Sequence, residues 1–362
     1  MAIISDDEGI KVNIEEQKSS LKQKNPMIKS ENIEYDKTFE NSIRPKDFEG
    51  YIGQSSLKET LKITLKAAKL RETPLDHMLF YGPPGLGKTT IAGVIASQME
   101  VDIRITSAPA LERPRDIIGI LMSLKSGEIL FIDEIHRLNK VAEEILYPAM
   151  EDFTLDMTTG KSQTAKTLRV PLPKFTLIGA TTKAGELSSP LRDRFGMIQR
   201  LEFYTIDELT QVVLRTAKIL NINITEKGAK AIATRSRGTP RIANRFVKRV
   251  SDFAIVKYNG LIDEKVANES LDILKIDEYG LDNTDRALLK LIIDKYDGGP
   301  VGIETIAAAL SEDVRTIEDV CEPYLLQSGL LQRTPRGRKV SPEGYRHLGI
   351  NVPSEQKQLF QF

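Results

Sequence analysis

The chain has 362 residues, 40% of them hydrophobic, which is more than one core holds and predicts two or three domains. Lysine plus arginine number 51 and aspartate plus glutamate 51, so no net field draws the molecule to nucleic acid or membrane, and any polyanion site is a local patch. One cysteine, Cys321, excludes an intramolecular disulfide and a cysteine zinc cluster; His77, His136 and His347 lack metal-ligand spacing and read as structural or surface residues. No apolar run approaches the ~18 residues of a membrane span, and the N-terminus lacks a signal peptide's basic start and apolar stretch, so a cytoplasmic protein is expected.

Residues 1–35 are rich in Lys, Glu, Ser and Asn and poor in large apolar groups, which predicts a disordered leader. Leu57, Leu61, Leu65, Ala68 and Leu70 recur near helical spacing ahead of Pro74. His77 to Tyr81 then reads as a strand ending at Gly82, and Thr89 to Met99 as a helix. Ile129 to Ile132 is apolar without alternation, as a central parallel strand covered on both faces should be, and Phe175 to Ala180 is another such run. Together these predict a doubly wound α/β domain over 36–204.

Within it, Leu155 and Met157, then Leu168, Val170 and Leu172, alternate as two hairpin strands around Gly160-Lys161-Ser162. Such an insertion either shields the sheet or meets a partner. From Ile206 to Lys275 the pattern is helical with no convincing strand, a small all-helical lid over 205–275. After Leu281 come helices around Ile303 to Leu310 and Ile317 to Gln327, then a β-wing from Gly329 to Val340. This is a winged-helix head over 278–350, followed by a tail, 351–362.

Gly82-Pro83-Pro84-Gly85-Leu86-Gly87-Lys88-Thr89 satisfies the P-loop pattern between a strand and a helix, where glycines let backbone N–H groups surround phosphate oxygens. Lys88 would bind the β and γ phosphates of ATP, and Thr89 would ligate Mg²⁺. Asp133-Glu134 ends an apolar strand and so faces the nucleotide crevice; Asp133 would hold Mg²⁺ and Glu134 would polarise the attacking water. The alternative is a surface acidic pair. Thr239-Pro240 opens a helix that puts Arg241 in the first turn, where a cation opposes the helix dipole unless an anion lies nearby. The competing reading of Arg241 is a solvated basic face, with Arg235, Arg237, Arg245, Lys248 and Arg249 around it.

The P-loop and the Ile132-Asp133-Glu134-Ile135-His136 segment together resemble the AAA+ ATPases, and the rest of the chain, from 36 to 350, resembles their RuvB family. Arg44-Pro45 with Tyr51-Ile52-Gly53-Gln54 is similar to that family's adenine-packing segment, and Gly179-Ala180-Thr181-Thr182 to its sensor strand. Ser189 to Gly196 resembles the arginine-finger segment, with Arg194 fitting the finger better than Arg192. Leu201 to Tyr204 and Gly238 to Arg241 are similar to the end of the large domain and the second sensor. The resemblance implies Glu134, Asp133 and Arg194 as catalytic residues. It implies nucleotide contacts at Ile43, Arg44, Gly85, Gly87, Lys88, Thr89, Thr90, Thr182, Tyr204 and Arg241, with Thr89 and Asp133 on Mg²⁺.

In that family the hairpin docks on RuvA and the wing binds DNA. Arg333, Arg336, Arg338 and Lys339 fall within seven residues, and a basic turn by itself is ordinary solvated surface; the resemblance makes Arg333 and Arg338 the DNA phosphate contacts. The expected protein is a homohexameric, ATP- and Mg²⁺-dependent motor that moves Holliday junctions with RuvA and, in the resolving complex, RuvC. A clamp loader would instead carry a C-terminal collar. A GTPase is discounted, because Asn139-Lys140 is followed by Val141-Ala142 and no guanine-reading Asn-Lys-x-Asp appears.

Overall fold

Five parallel strands run in the order β2-β3-β6-β1-β7, where β1 is Met78–Tyr81, β2 Ile103–Ser107, β3 Ile129–Asp133, β6 Thr176–Thr181 and β7 Met197–Arg200. The computed structural model describes residues 42–159 and 166–353. The expected leader, the hairpin tip at Gly160-Lys161-Ser162 and residues 354–362 of the tail lie outside the described residues. The chain divides into two units, Met1–Arg44 and Pro45–Phe362; in the first, Ile43 is buried and Arg44 half-buried. Everything below concerns the second.

The unbroken apolar runs of β1, β3 and β6 have a simple cause: successive side chains enter opposite cores. Met78, Phe80, Ile129, Phe131, Ile178 and Ala180 face one core, shared with α1 (Ser55–Arg71) and α2 (Lys88–Met99). Leu79, Leu130, Ile132 and Leu177 face the other, shared with α3 (Pro114–Met122) and α4 (Lys140–Glu151). At the sheet edges the covering is incomplete, and Ile105 on β2 and Ile198 on β7 are exposed.

The inserted hairpin forms: β4 (Thr154–Thr159) pairs antiparallel with β5 (Lys166–Pro171). Leu155 and Leu172 are buried in the second core, while Leu168 is 56% exposed. A short helix, α5 (Ser189–Arg192), capped by the Ser188 hydroxyl, precedes β7.

The lid consists of α6 (Ile206–Ile219), α7 (Glu226–Thr234), α8 (Pro240–Lys257) and α9 (Glu264–Ile273). Its entry is fixed by a capping box: Glu208 N–H donates to Thr205 Oγ1 at 3.2 Å, and Thr205 N–H to Glu208 Oε2 at 2.8 Å. The expectation of a wholly helical lid needs one correction. A two-residue parallel pair, β8 (Asn223–Ile224) with β9 (Leu261–Ile262), ties the loops before α7 and α9. The segments are too short to carry an alternating pattern, so the sequence does not reveal them. Leu209, Val213, Val247 and Leu271 of the lid continue the first core of the large domain.

The head has its own core, built from α10 (Asn283–Tyr296), α11 (Ile303–Leu310) and a helical run made of α12 (Val314–Thr316), a π-turn (Ile317–Cys321) and α13 (Glu322–Gln327). The wing is β10 (Leu331–Thr334) against β11 (Gly337–Val340), and α14 (Pro342–His347) closes the domain. Arg237 of the lid links to the head: its guanidinium pairs with Asp282 at 3.1 Å and Asp285 at 2.6 Å and donates to Gly280 O. Arg235 pairs with Asp272. Neither arginine belongs to a solvated face.

Arg338, expected on DNA, is committed elsewhere. Arg333 and Arg338 are cross-strand partners in the wing, and the helical run opposes them with Glu318 and Glu322, one turn apart. Arg338 takes Glu322 through two bonds, Nε to Oε1 at 3.1 Å and Nη2 to Oε2 at 2.9 Å, and both side chains are buried. The other pair, Arg333 Nη2 with Glu318 Oε1 at 3.8 Å, leaves the Arg333 side chain 59% exposed. A desolvated bidentate pair thus holds the Arg338 guanidinium inside the head, whereas the sequence reading expects it on DNA. Replacing Glu322 by alanine should strand that buried cation and cost about 3 kcal/mol of stability. Denaturant unfolding of Glu322→Ala checks this; a change below measurement error would return Arg338 to the surface.

Candidate nucleotide site

The P-loop joins β1 to α2, and its shape needs glycine. Gly82, Gly85 and Gly87 have φ of 142°, 82° and 96°, in the region that L side chains avoid. A Cβ at Gly82 would lie 2.6 Å from Leu201 O, so no other residue fits there without moving the end of β7. The first intrahelical bond of α2 is Ile91 N–H to Gly87 O at 2.9 Å, which leaves the amides of Lys88, Thr89 and Thr90 without helical acceptors and directed into the loop. The Lys88 ammonium, 7% exposed, donates to Gly82 O at 2.8 Å and Pro83 O at 3.0 Å. Burial pushes its pKa down, and the Glu134 and Asp133 carboxylates oppose that shift.

Strand β3 ends in Asp133, and β6 lies between β3 and β1, so the acidic pair, Thr181 and Thr182, and the P-loop share one edge of the sheet. Burial, then the neighbouring Glu134 carboxylate, raise the pKa of Asp133. Glu134 has φ 49°, a left-handed conformation that costs about 1 kcal/mol for a side-chain-bearing residue and turns the chain sharply after the strand. Its N–H donates to Asp133 Oδ1 at 3.0 Å, and its Oε2 accepts from Thr182 Oγ1 at 3.2 Å and Thr182 N–H at 3.4 Å. His136 Nδ1 stands 3.3 Å from the same oxygen and 2.9 Å from Thr181 Oγ1. Burial lowers the pKa of His136, and the Glu134 and Glu186 carboxylates oppose that shift.

The remaining walls come from the lid side. Arg241 N–H reaches Gly85 O at 3.4 Å, and a Cβ on Gly85 would lie 3.2 Å from Arg241 Cβ, so the first turn of α8 rests on the P-loop. Tyr204 is buried with its pKa pushed up to about 12 by desolvation, and its N–H donates to Gly238 O. Gln54 makes a two-bond match to the backbone of Glu202, Nε2 to O at 2.6 Å and N–H to Oε1 at 3.2 Å, fastening the Tyr51–Gln54 segment to the end of the large domain. Tyr51 is buried, and its Oη lies 3.4 Å from where Gly87 would carry a Cβ.

These features fit a nucleotide triphosphate with a divalent cation. Helix amides without helical acceptors and a buried ammonium can donate to phosphate oxygens, and a crowded carboxylate pair at the strand end can coordinate the cation. Arg194 lies apart from this constellation. Its guanidinium stacks 4.5 Å from the Tyr147 ring centroid, pairs with Glu151 at 3.1 Å and donates to Pro190 O at 2.6 Å.

A family model described as the Holliday junction DNA helicase RuvB P-loop domain matches residues 43–201, the RuvB AAA lid domain matches 204–277, and the RuvB C-terminal winged helix domain matches 278–349. The chain belongs to the RuvB family. Similar curated proteins include the Holliday junction branch migration complex subunit RuvB of Nostoc punctiforme, 59% identical over 320 residues, which are 88% of this chain and 87% of that one. The protein of the same description from Rippkaea orientalis is 60% identical over 323 residues, 89% of each chain. The solved Thermotoga maritima RuvB Holliday junction branch migration motor matches with a TM-score of 0.79 at 48% identity, over 86% of this chain and 100% of that one. A winged helix stands where a clamp loader would carry its collar, so the clamp-loader alternative is not favoured.

In this RuvB-family chain, Lys88, Thr89, Thr90, Asp133, Glu134, Thr182 and Arg241 come from one sheet edge and the helix that packs on it. Sequence reasoning missed His136, taken as a structural or surface residue although it follows the acidic pair by two positions; only the left-handed turn at Glu134 brings its ring back toward Thr181. If Glu134 polarises the attacking water, Lys88→Ala should abolish measurable ATP binding, whereas Glu134→Gln should bind ATP and lose at least about 100-fold in turnover. Equilibrium binding of a fluorescent ATP analogue beside steady-state phosphate release separates the two. Wild-type turnover in Glu134→Gln would remove Glu134 from that role.

Proposed function

We propose that this RuvB-family protein hydrolyses ATP to ADP and phosphate in a Mg²⁺-dependent cycle and uses it to drive branch migration of Holliday junctions in recombination and repair. The observation that carries the reading is the meeting of P-loop, acidic pair, Thr182 and Arg241 at one crevice, in a chain whose arginine finger has its partners elsewhere. Lys88 and the α2 amides bind and orient the phosphates, and Glu134, aligned by Thr182, takes up proton density from the attacking water. Thr89 and Asp133 would hold Mg²⁺, which supplies charge neutralisation on the phosphate oxygens. Tyr204 would contact the base side of the nucleotide.

Arg194 would complete the site of an adjacent subunit, which supports a ring, and the resemblance makes that ring a hexamer in the cytoplasm. The exposed Leu168 on the hairpin supports docking on RuvA, with RuvC joining in the resolving complex. The test is ATP turnover and junction dissociation on four-way junction DNA with and without RuvA. Stimulation by both is expected, and a protein stimulated instead by a sliding clamp would overturn the reading.

The wing supports a sequence-independent grip on duplex DNA through Arg333 and its exposed neighbour Arg336, with Lys339 half-exposed beside them. Each lost phosphate contact lowers the slope of log affinity against log salt by roughly 0.9, so Arg333→Ala should flatten it by about one at most and weaken binding alike on all sequences. DNA-free turnover should stay unchanged. A salt series of binding titrations measures the slope; wild-type affinity and slope in Arg333→Ala would make the wing ordinary surface.

A further inference from the structure

Glu143, Tyr147 and Glu151 are spaced four apart on α4 and share one helix face. That face holds the finger segment. Glu143, a buried carboxylate, accepts at one oxygen, Oε2, from both the Ser188 hydroxyl at 2.6 Å and the Tyr147 hydroxyl at 3.1 Å. Ser188 caps α5, the turn that carries the chain toward Arg194. Tyr147, locked by Glu143, supplies the ring on which the Arg194 guanidinium lies, and Glu151 supplies its counter-charge. One edge of that guanidinium, Nε, is buried without a hydrogen-bond partner among the described residues.

We propose that Tyr147, fixed by Glu143 and Ser188, is a positioning residue that aims Arg194 at the neighbouring subunit's nucleotide. The inference rests on the assignment of Arg194 as the finger and deepens it. A free arginine side chain samples many rotamers, and stacking on a locked ring removes most of them before the guanidinium meets phosphate. Helix α4 follows the Asp133-Glu134 turn with only a short 3₁₀ segment, Ile135–Arg137, and the Asn139 cap between. The same rigid element therefore joins a subunit's own water-activating carboxylate to the finger it delivers next door.

The experiment uses the full chain on four-way junction DNA. Tyr147→Ala should lower kcat about tenfold, with KM and ATP affinity within about twofold of wild type, because the defect lies in the neighbour's transition state. Tyr147→Phe keeps the ring but loses the hydroxyl bond and should fall between the two, which guards against a folding defect in the alanine variant. In rings co-assembled with Lys88→Ala, confirmed by light scattering, Tyr147→Ala subunits should regain turnover, since the Lys88→Ala partner brings an intact finger. Arg194→Ala mixed the same way is the control. If Arg194→Ala recovers and Tyr147→Ala does not, or if both Tyr147 variants keep wild-type kcat, the positioning role is overturned. If Arg194→Ala itself fails to recover in mixed rings, the finger assignment falls, and this inference with it.

Discussion

A buried ammonium organises the catalytic half of the molecule. Lys88 is almost entirely removed from water, which favours its neutral form, and the ammonium is retained through two loop carbonyls and the field of Asp133 and Glu134. Meeting those requirements at once forces the Gly82–Gly87 loop to curl around the Nζ atom, and curling demands three glycines in left-handed conformations. It also demands that β3 end close to β1.

The strand order supplies that proximity. With β6 between β1 and β3, the C-terminal ends of three parallel strands deliver the P-loop, Thr181 with Thr182, and the acidic pair to one edge. The side chains there are tied to one another: Thr182 and His136 converge on a single oxygen of Glu134, and Thr181 holds His136. Lys183, the next residue, reaches Glu318 and Asp319 of the head at 3.4 and 3.6 Å. The loop after β6 is thus in contact with the domain that carries the wing, and Arg333 shares Glu318 with it.

Charge burial recurs where domains meet. Arg237, in a left-handed turn before Gly238, bridges lid and head through Asp282 and Asp285. Burial raises the pKa of Asp285 to about 6 despite the arginine beside it, and that of its neighbour Cys321 to about 12, which leaves this thiol protonated and unreactive at pH 7. Breaking such a pair leaves a desolvated charge behind, so the link resists separation of lid from head more than a solvated pair would.

The elements whose signal is local were legible in the sequence. The β1–P-loop–α2 unit, the apolar strands β3 and β6, the inserted hairpin and the β-wing follow from periodicity and glycine placement, and the paired carboxylates at the end of β3 announce the chemistry. What only the tertiary structure decided are choices among chemically identical side chains. Arg333 and Arg338 occupy one basic turn, yet packing places Glu322 against one and leaves the other mostly in water. Arg235 and Arg237 look like Arg245 and Arg249 in the sequence but find carboxylate and carbonyl partners 37 to 48 positions away. His136 gains its place through a single left-handed residue, and Arg194 gains its support from a helix more than forty residues earlier. Local sequence sets backbone preference and hydrophobic period, because those depend on neighbours in the chain. Which charge is desolvated and paired depends on partners that only folding brings within reach.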